Sequence, residues 1–160
     1  MSETLEITNV SEFMKTHLVE VFETMLATKA TLVENAPSPH FTGRVSGSVG
    51  FAGETVNGAV YLHLSTEFSK RASAAMLGLP VEEITNEAEI NDVVGEVANM
   101  VAGGLKSWLC DAGASCAMST PAIIRGTAFA IEPMPNVKHS RQVFDCGGDR
   151  VVVEVHVKFV

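Results

Sequence analysis

The chain has 160 residues, a formal net charge of -8 at pH 7 and 46% hydrophobic residues. This length and apolar content predict a single domain, residues 1–160, with a core of its own. Nineteen acidic residues against eleven basic ones disfavour nucleic acid and anionic membranes as partners, and they favour a partner with basic groups. No apolar stretch approaches the ~20 residues that a transmembrane helix needs.

The cysteines and the N-terminus indicate a cytoplasmic protein. Cys110, Cys116 and Cys146 are odd in number and lack CxxC spacing, which is typical of reduced, structural thiols. The first ten residues are acidic and contain no apolar core of a signal peptide.

The first half of the chain predicts a long helix, two strands and a short helix. Apolar residues at helical spacing predict a helix over residues 10–33, with Ser11 as its N-cap. Alternating apolar and small or polar residues predict strands at 44–53 and 58–65, joined by a hairpin loop. Thr66 is expected to cap a short helix that ends near Leu77.

Residues 86–113 predict the second long helix, with Asn86 as its N-cap. Its apolar residues fall in one narrow stripe that is expected to face the core. The stripe consists of Ile90, Val94, Val97, Val101, Leu105 and Trp108.

The remainder predicts a strand region at 117–131 and a hairpin of strands 141–146 and 150–159 around Gly147 and Gly148. In the last strand the valines are expected on one face, with Glu154 and His156 on the other. Both His156 and His63, which is outward-facing in the strand 58–65, are then expected to be surface residues.

These elements predict an α+β fold, with two long helices packed on one face of an antiparallel sheet. Each half of the chain starts with a long helix that antiparallel strands follow, which suggests an internal pseudo-repeat. The valine-rich strand 44–53 and the C-terminal strand are expected to form exposed edges, which invite pairing with a second chain.

The outer face of the helix 86–113 carries the candidate functional residues. Glu96 and Asn99 are three residues apart, so their side chains are neighbours on this face. Small residues flank them, and because mid-helix glycine costs roughly 1 kcal/mol relative to alanine, a closely approaching partner would explain them. A solvated polar helix face is the alternative, since E-x-x-N occurs by chance in roughly one chain of this length in three. The whole face comprises Asp92, Gly95, Glu96, Asn99, Ala102, Gly103 and Lys106.

Other chemistries lack their patterns. The five histidines are scattered, without cysteine or aspartate at metal-ligand spacing. No GxSxG, P-loop or dinucleotide-binding glycine pattern is present. Cys110 is expected to be a buried thiol rather than a nucleophile.

Residues 95–103, GEVANMVAG, resemble the GE-x-x-NM-x-AG signature of the CheX and CheC chemotaxis phosphatases. Segments 21–25, 58–61, 75–78 and 120–126 resemble further parts of the same family, so that the resemblance extends over nearly the whole chain. CheC-type members usually carry a second E-x-x-N on the first helix, whereas here Glu23 stands where that asparagine would be. One active ridge per chain, as in CheX, is therefore expected.

The resemblance implies a phosphatase acting on the phospho-aspartate of a CheY-type response regulator. It implies that Asn99 orients the attacking water and that Glu96 pairs with a lysine of the regulator. Asp92, Gly95, Ala102, Gly103 and Lys106 would form the surrounding docking surface. The family further implies a homodimer joined through its sheets, no cofactor of its own, and a magnesium ion that the regulator supplies.

Two alternatives to a phosphatase function remain. The same ridge could sequester a phosphorylated regulator, or join a flagellar-switch or signalling complex, without catalysis. A structural dimer module with a functionless E-x-x-N is the other.

Gly104 departs from the larger polar residue of many relatives, which could alter the fit of the partner.

Overall fold

A computed structural model describes residues 5–160. The elements in chain order are α1 (Ile7–Leu26), β1 (Thr31–Val33), β2 (Arg44–Ala52), β3 (Val56–Ser65), α2 (Thr66–Leu77), α3 (Glu87–Asp111), β4 (Ala117–Met118), β5 (Ala122–Gly126), β6 (Lys138–Cys146) and β7 (Asp149–Phe159). A short 3₁₀ turn, Val81–Glu83, links α2 to α3. The long helices and the sheet confirm the predicted α+β class. The suggested pseudo-repeat stays a prediction.

The strands form one antiparallel sheet in the order β1-β6-β7-β3-β2-β4, and β5 also pairs with β2. β2 lies between β3 on one side and β4 and β5 on the other, while β7 lies between β3 and β6. The expectation that these two valine-rich strands form exposed edges is therefore wrong. Their β-branched side chains pack best where neighbouring strands flank them on both sides.

The helices cover one face of this sheet. α3 crosses β2 at Gly47, where an added Cβ would lie only 2.6 Å from the Cβ of Ala98. Glycine at this position therefore lets the helix approach the strand closely. α1 is attached to β6 by a hydrogen bond between the hydroxyls of Ser11 and Ser140, 2.7 Å long. The core side chains on this face of the three central strands are Val45, Val49, Phe51, Val56, Val60, Leu62, Leu64, Val151, Val153, Val155 and Val157.

The first helix is shorter than predicted. α1 ends at Leu26, and Ala27 takes up the left-handed conformation with φ 48° and closes the helix through its N–H to the carbonyl of Phe22. Leu32 fits the helical period, but it lies in β1 and pairs with Phe144 of β6. The N-cap is Glu6 rather than Ser11, and the N–H of Glu6 donates a hydrogen bond to the side-chain oxygen of Asn9 at 2.8 Å.

The predicted strand 117–131 is also divided. Ser119–Pro121 separates β4 from β5, because the proline cannot donate to a sheet ladder. After Gly126 the chain forms no strand until Lys138. We call this irregular segment, residues 127–137, the strap.

The middle of the second face of the sheet is buried, contrary to expectation. His63 is 1% exposed, His156 7% and Glu154 9%, although they do point away from the helices. The ring of Phe129 in the strap packs edge-on against His63, with 6.5 Å between the ring centroids, and Arg44 donates to the carbonyl of Phe129. The prediction that both histidines lie on the surface is wrong. Phe129 covers His63, while the rings of Tyr61 and His139 pack edge-on against His156, with centroids 5.0 and 6.1 Å away.

Within residues 5–160 no helix is long and apolar enough to cross a bilayer. The three cysteines are free thiols, as predicted, but Cys110 is half-buried rather than buried. Burial raises the pKa of the Cys146 thiol to about 12, so this side chain stays protonated at neutral pH.

Candidate functional site

α3 begins where the sequence predicts, with the side chain of Asn86 accepting from the N–H of Ala88 at 2.8 Å. Five residues of the predicted apolar stripe are at most 5% exposed: Ile90, Val94, Val97, Val101 and Leu105. Trp108, the sixth, is partly buried and stacks on Phe13 of α1, with ring centroids 5.3 Å apart. Because one side of the helix is fixed in the core, the other side is held toward the surface.

Glu96 and Asn99 lie on that outward side. Glu96 is exposed and Asn99 is half-buried. Within residues 5–160 neither side chain has a hydrogen-bond or salt-bridge partner. A carboxylate and an amide without internal partners are available to bind a group on another molecule.

Both side chains line a groove of about 570 Å³, which we call the catalytic groove after the role that the resemblance implies for Asn99. Its wall opposite α3 is the segment from Met118 to Ile123. The wall is anchored to the sheet through Ser119, whose hydroxyl accepts from the N–H of Gly50 at 2.9 Å while its own N–H donates to the Gly50 carbonyl at 2.8 Å. Thr120 and Pro121 are thereby held beside Glu96 and Asn99.

The outer face of α3 is less exposed to solvent than expected. Asp92 is exposed and lines the catalytic groove, but Gly95 is buried beneath Pro121 and Ile123 and Ala102 is only 3% exposed. The expectation of an open ridge is corrected at these two positions: the wall packs directly on Gly95, and Ala102 is part of the buried core. Gly103 and Lys106 are half-buried and lie outside the groove.

Gly104 faces α1 rather than a partner. A Cβ at this position would overlap the ring of His17, whose Nε2 lies 3.2 Å from the carbonyl oxygen of Met100. The His17 ring also stacks on Phe13 at 5.1 Å. The missing side chain is therefore explained by packing between the two long helices.

One end of the groove is organised by residues that the sequence interpretation passed over. Arg125 of β5 donates two hydrogen bonds to the side-chain oxygen of Asn91, at 3.0 and 2.7 Å, and approaches Glu87 at 3.5 Å. Asn91 is part of the groove lining. Arg125 lies in the segment 120–126 that resembles the family, and this resemblance is the feature of the sequence that could have indicated its role.

The groove lining is acidic and polar. It contains the carboxylates of Asp92 and Glu96 and the amides of Asn91 and Asn99, but no lysine, arginine or histidine. Within residues 5–160 there is no group of three or more His, Cys, Asp or Glu residues that could hold a metal ion. The arrangement suits hydrogen bonding to a polar group and attraction of a positively charged one.

A family model described as chemotaxis phosphatase CheX matches residues 45–145, which is more than half of the chain. The chain belongs to the CheX family. The match includes α3 and the segment Met118–Ile123, and therefore both walls of the catalytic groove.

Solved structures have the same fold. The chemotaxis protein CheX from Vibrio vulnificus is 23% identical with a TM-score of 0.80, covering 97% of this chain and 100% of that one. A CheC-like protein from Shewanella oneidensis is 25% identical with a TM-score of 0.77, covering 96% and 100%. CheX from Borrelia burgdorferi, solved as a CheX–CheY–BeF3–Mg²⁺ complex, is 20% identical with a TM-score of 0.75, covering 92% and 96%. A comparison with curated proteins gave no match.

Proposed function

We propose that this protein hydrolyses the phospho-aspartate of a CheY-type response regulator, with Asn99 and Glu96 as the residues that act on the partner. The observation that supports this most directly is the pair of side chains without internal partners on the catalytic groove, within a signature of the CheX family. The relative from Borrelia burgdorferi supports the class of partner, since it is bound to CheY together with BeF3 and Mg²⁺. BeF3 on an aspartate stands in for its phosphoryl group.

Hydrolysis of a phospho-aspartate needs little from the phosphatase beyond a positioned water. The acyl phosphate is already activated, and transfer of its phosphoryl group requires an attacking oxygen in line with the bond that breaks. The side-chain oxygen of Asn99 can accept a hydrogen bond from that water, and its nitrogen can donate to the phosphoryl group or the regulator backbone. Asn99 acts by position and takes no proton, so its contribution does not depend on a tuned pKa.

Glu96 would anchor the regulator. Its exposed carboxylate has no cation beside it within residues 5–160, and it lies one helical turn before Asn99. A lysine beside the phosphorylated aspartate of the regulator would pair with it, which fixes the register between the two proteins. The magnesium ion belongs to the regulator in this scheme, and chelation should stop turnover without altering this chain.

We also propose that the protein is a homodimer with two independent catalytic grooves.

Asp92 supports docking from its exposed position beside Glu96, whereas Gly95 would support it only by letting the groove wall pack closely. Ala102 is buried and would make no direct contact with the regulator. Gly103 and Lys106 border the same helix face and would contact only a partner that extends beyond the groove.

The experiment that tests the function measures the lifetime of each CheY-type regulator of the same organism in its phosphorylated form, with and without this protein. We expect at least one lifetime to shorten in proportion to the amount of protein added. Ser107, exposed on α3 outside the groove, provides a control, because Ser107→Ala should act as the wild-type protein does. Binding without any shortening would instead establish a sequestering module.

A further inference from the structure

A second concavity, of about 430 Å³, lies on the other side of Glu96, between α3 and the end of α2. Its lining is mainly apolar and comprises Met76, Leu77, Leu79, Val93, Glu89, Asp92 and Glu96. We propose that this surface, which we call the specificity groove, binds an apolar side chain of the regulator that a lysine or arginine flanks, and so selects which regulator is dephosphorylated. The inference rests on the proposed function and assigns it a second contact.

The apolar exposure at this place is unusual for the molecule. Among residues 5–160 only five large hydrophobic side chains are exposed, and three of them fall within five positions: Leu77 at 45%, Leu79 at 40% and Val81 at 42%. Gly78 holds them there, because its left-handed conformation, with φ 68°, ends α2 and turns the chain outward. Clustered exposed leucines beside a polar rim are typical of a protein–protein contact.

The rim of the groove has one sign of charge. Glu89, Asp92 and Glu96 follow each other along the same face of α3, and none of them has a salt-bridge partner within residues 5–160. Seven residues separate the first from the last, which is about 10 Å along the helix. An apolar floor under three unpaired carboxylates is complementary to an apolar side chain that stands next to basic groups.

The two grooves share one boundary. Asp92 and Glu96 line both of them, so that α3 forms the ridge between the catalytic groove and the specificity groove. A regulator whose phosphoryl group reaches Asn99 must cover Glu96. A stable interface buries about 800 Å² on each partner, a footprint too broad to end at that residue. A footprint of this size that extends across Glu96 would also cover Leu77 and Leu79.

The chemical occupants of the two grooves differ. The catalytic groove meets parts that all phosphorylated receiver domains share: the phosphoryl group, its magnesium ion and the adjacent lysine. The specificity groove would meet a surface side chain outside that shared set. Discrimination among regulators would then come from the leucines, while the rate of hydrolysis comes from Asn99.

The test uses Leu79→Lys and, as a matched control, Met134→Lys. Met134 is 72% exposed and lies in the strap, so both changes replace an exposed apolar residue by the same cation. The probe is the CheY-type regulator of the same organism that the wild-type protein binds most tightly in its BeF3–Mg²⁺ form. We expect Leu79→Lys to weaken binding about tenfold, the loss typical of a contact residue, and to raise KM with kcat unchanged. Met134→Lys should change neither.

Further variants guard against loss of the fold. Glu89→Gln alters only an exposed charge and should weaken the same binding in a salt-dependent way. A wild type that binds but does not dephosphorylate would end the proposed function and leave the specificity groove standing if Leu79→Lys weakens binding. Equal affinities of the wild type, Leu79→Lys and Glu89→Gln would overturn the specificity groove while the phosphatase remained. If no regulator binds the wild type, both proposals are wrong.

Discussion

At the scale of single residues, Glu96 and Asn99 should separate binding from turnover. Asn99→Ala should bind a BeF3-activated regulator nearly as tightly as the wild type, because a water-orienting contact matters most in the transition state. Its turnover should fall by about 10²–10³, the range for removing one positioned group from a reacting centre. Glu96→Gln should lose about 1–3 kcal/mol of binding, as expected for a charge-assisted hydrogen bond.

One control variant and a measurement of thermal stability accompany this comparison. Glu20 is exposed on α1, at the place where a second active ridge would need its glutamate, so Glu20→Gln should leave binding and turnover unchanged. Calorimetry gives the affinities, single-turnover decay gives the rates, and thermal melts should be the same for all variants. An Asn99→Ala protein with full turnover would rule out the proposed role of the amide.

The buried polar cluster on the second face of the sheet predicts a loss of stability in acid. Burial lowers the pKa of His156 from its ordinary 6.5, against the opposing effect of Glu154. Burial would raise the pKa of Glu154, but the hydrogen bond from His63 and the charges of His63 and Arg141 bring it below its ordinary 4.5. Both folded pKa values thus lie below the unfolded ones, so the unfolded chain takes up more protons as the pH falls.

The free energy of unfolding should therefore decrease below about pH 6.5 through His156, and again below about pH 4.5 through Glu154. Urea unfolding of the wild type and of His156→Gln, between about pH 7.5 and about pH 5.5, measures the first part. The variant should show a smaller decrease than the wild type. His40→Gln, which removes an exposed histidine, should retain the full decrease. Equal decreases in the wild type and His156→Gln would exclude this histidine as the cause.

At the scale of the elements, the contact between α1 and α3 depends on Gly104. The His17 ring occupies the space of its missing side chain. Gly104→Ala should therefore destabilise the protein by about 1–3 kcal/mol through overpacking. Gly103→Ala is the matched control one residue away: its Cβ would meet only the end of the Met118 side chain, at 3.9 Å, so the helix preference for alanine should stabilise the protein by up to about 1 kcal/mol.

Removing the ring should reverse the sign at Gly104. In a His17→Ala background the added methyl meets no ring, so Gly104→Ala should become neutral or stabilising. Urea unfolding of the four proteins in this cycle gives the coupling between the two positions. Additive effects would show that the ring does not limit the size of the side chain at 104.

The elements also show which parts of the fold a sequence can predict. α3 is predicted well because its stripe is long and its N-cap is a good one, and both properties are local. The end of α1 is missed because Leu32 satisfies a helical period and a strand equally, and only its pairing with Phe144 decides. His63 and His156 are missed because the side chains that cover them, Phe129 on His63 and Tyr61 and His139 on His156, come from other segments of the chain.

In the candidate site, too, local features can be predicted from the sequence and contacts between distant residues cannot. The sequence places the side chains of Glu96 and Asn99 next to each other because residues three apart are neighbours on a helix, which is a local rule. The wall of the groove is not found, since it requires Ser119 to bond with Gly50, and these residues are far apart in sequence. For the same reason the burial of Gly95 under Pro121 could not be derived from the helix alone.

At the scale of the whole molecule, the sheet topology restricts how a homodimer can form. β2 and β7 are internal, so a dimer that pairs strand edges would use β1 and the part of β6 that β1 leaves unpaired, residues 138–142, on one side, or β4 and β5 on the other. The edge formed by β4 and β5 continues into the Met118–Ile123 wall of the catalytic groove. Two independent grooves are compatible with pairing only away from that wall.

We therefore predict a two-fold dimer that leaves the edge of β5 free. Light scattering at micromolar concentration should give twice the 17.0 kDa of the chain. Hydrogen exchange should show the outer amides of β5 exchanging fast in the dimer, because nothing pairs with them. Each protomer should then bind one BeF3-activated regulator, with equal affinity at both grooves. A monomer, or a dimer that binds one regulator per pair, would contradict this arrangement.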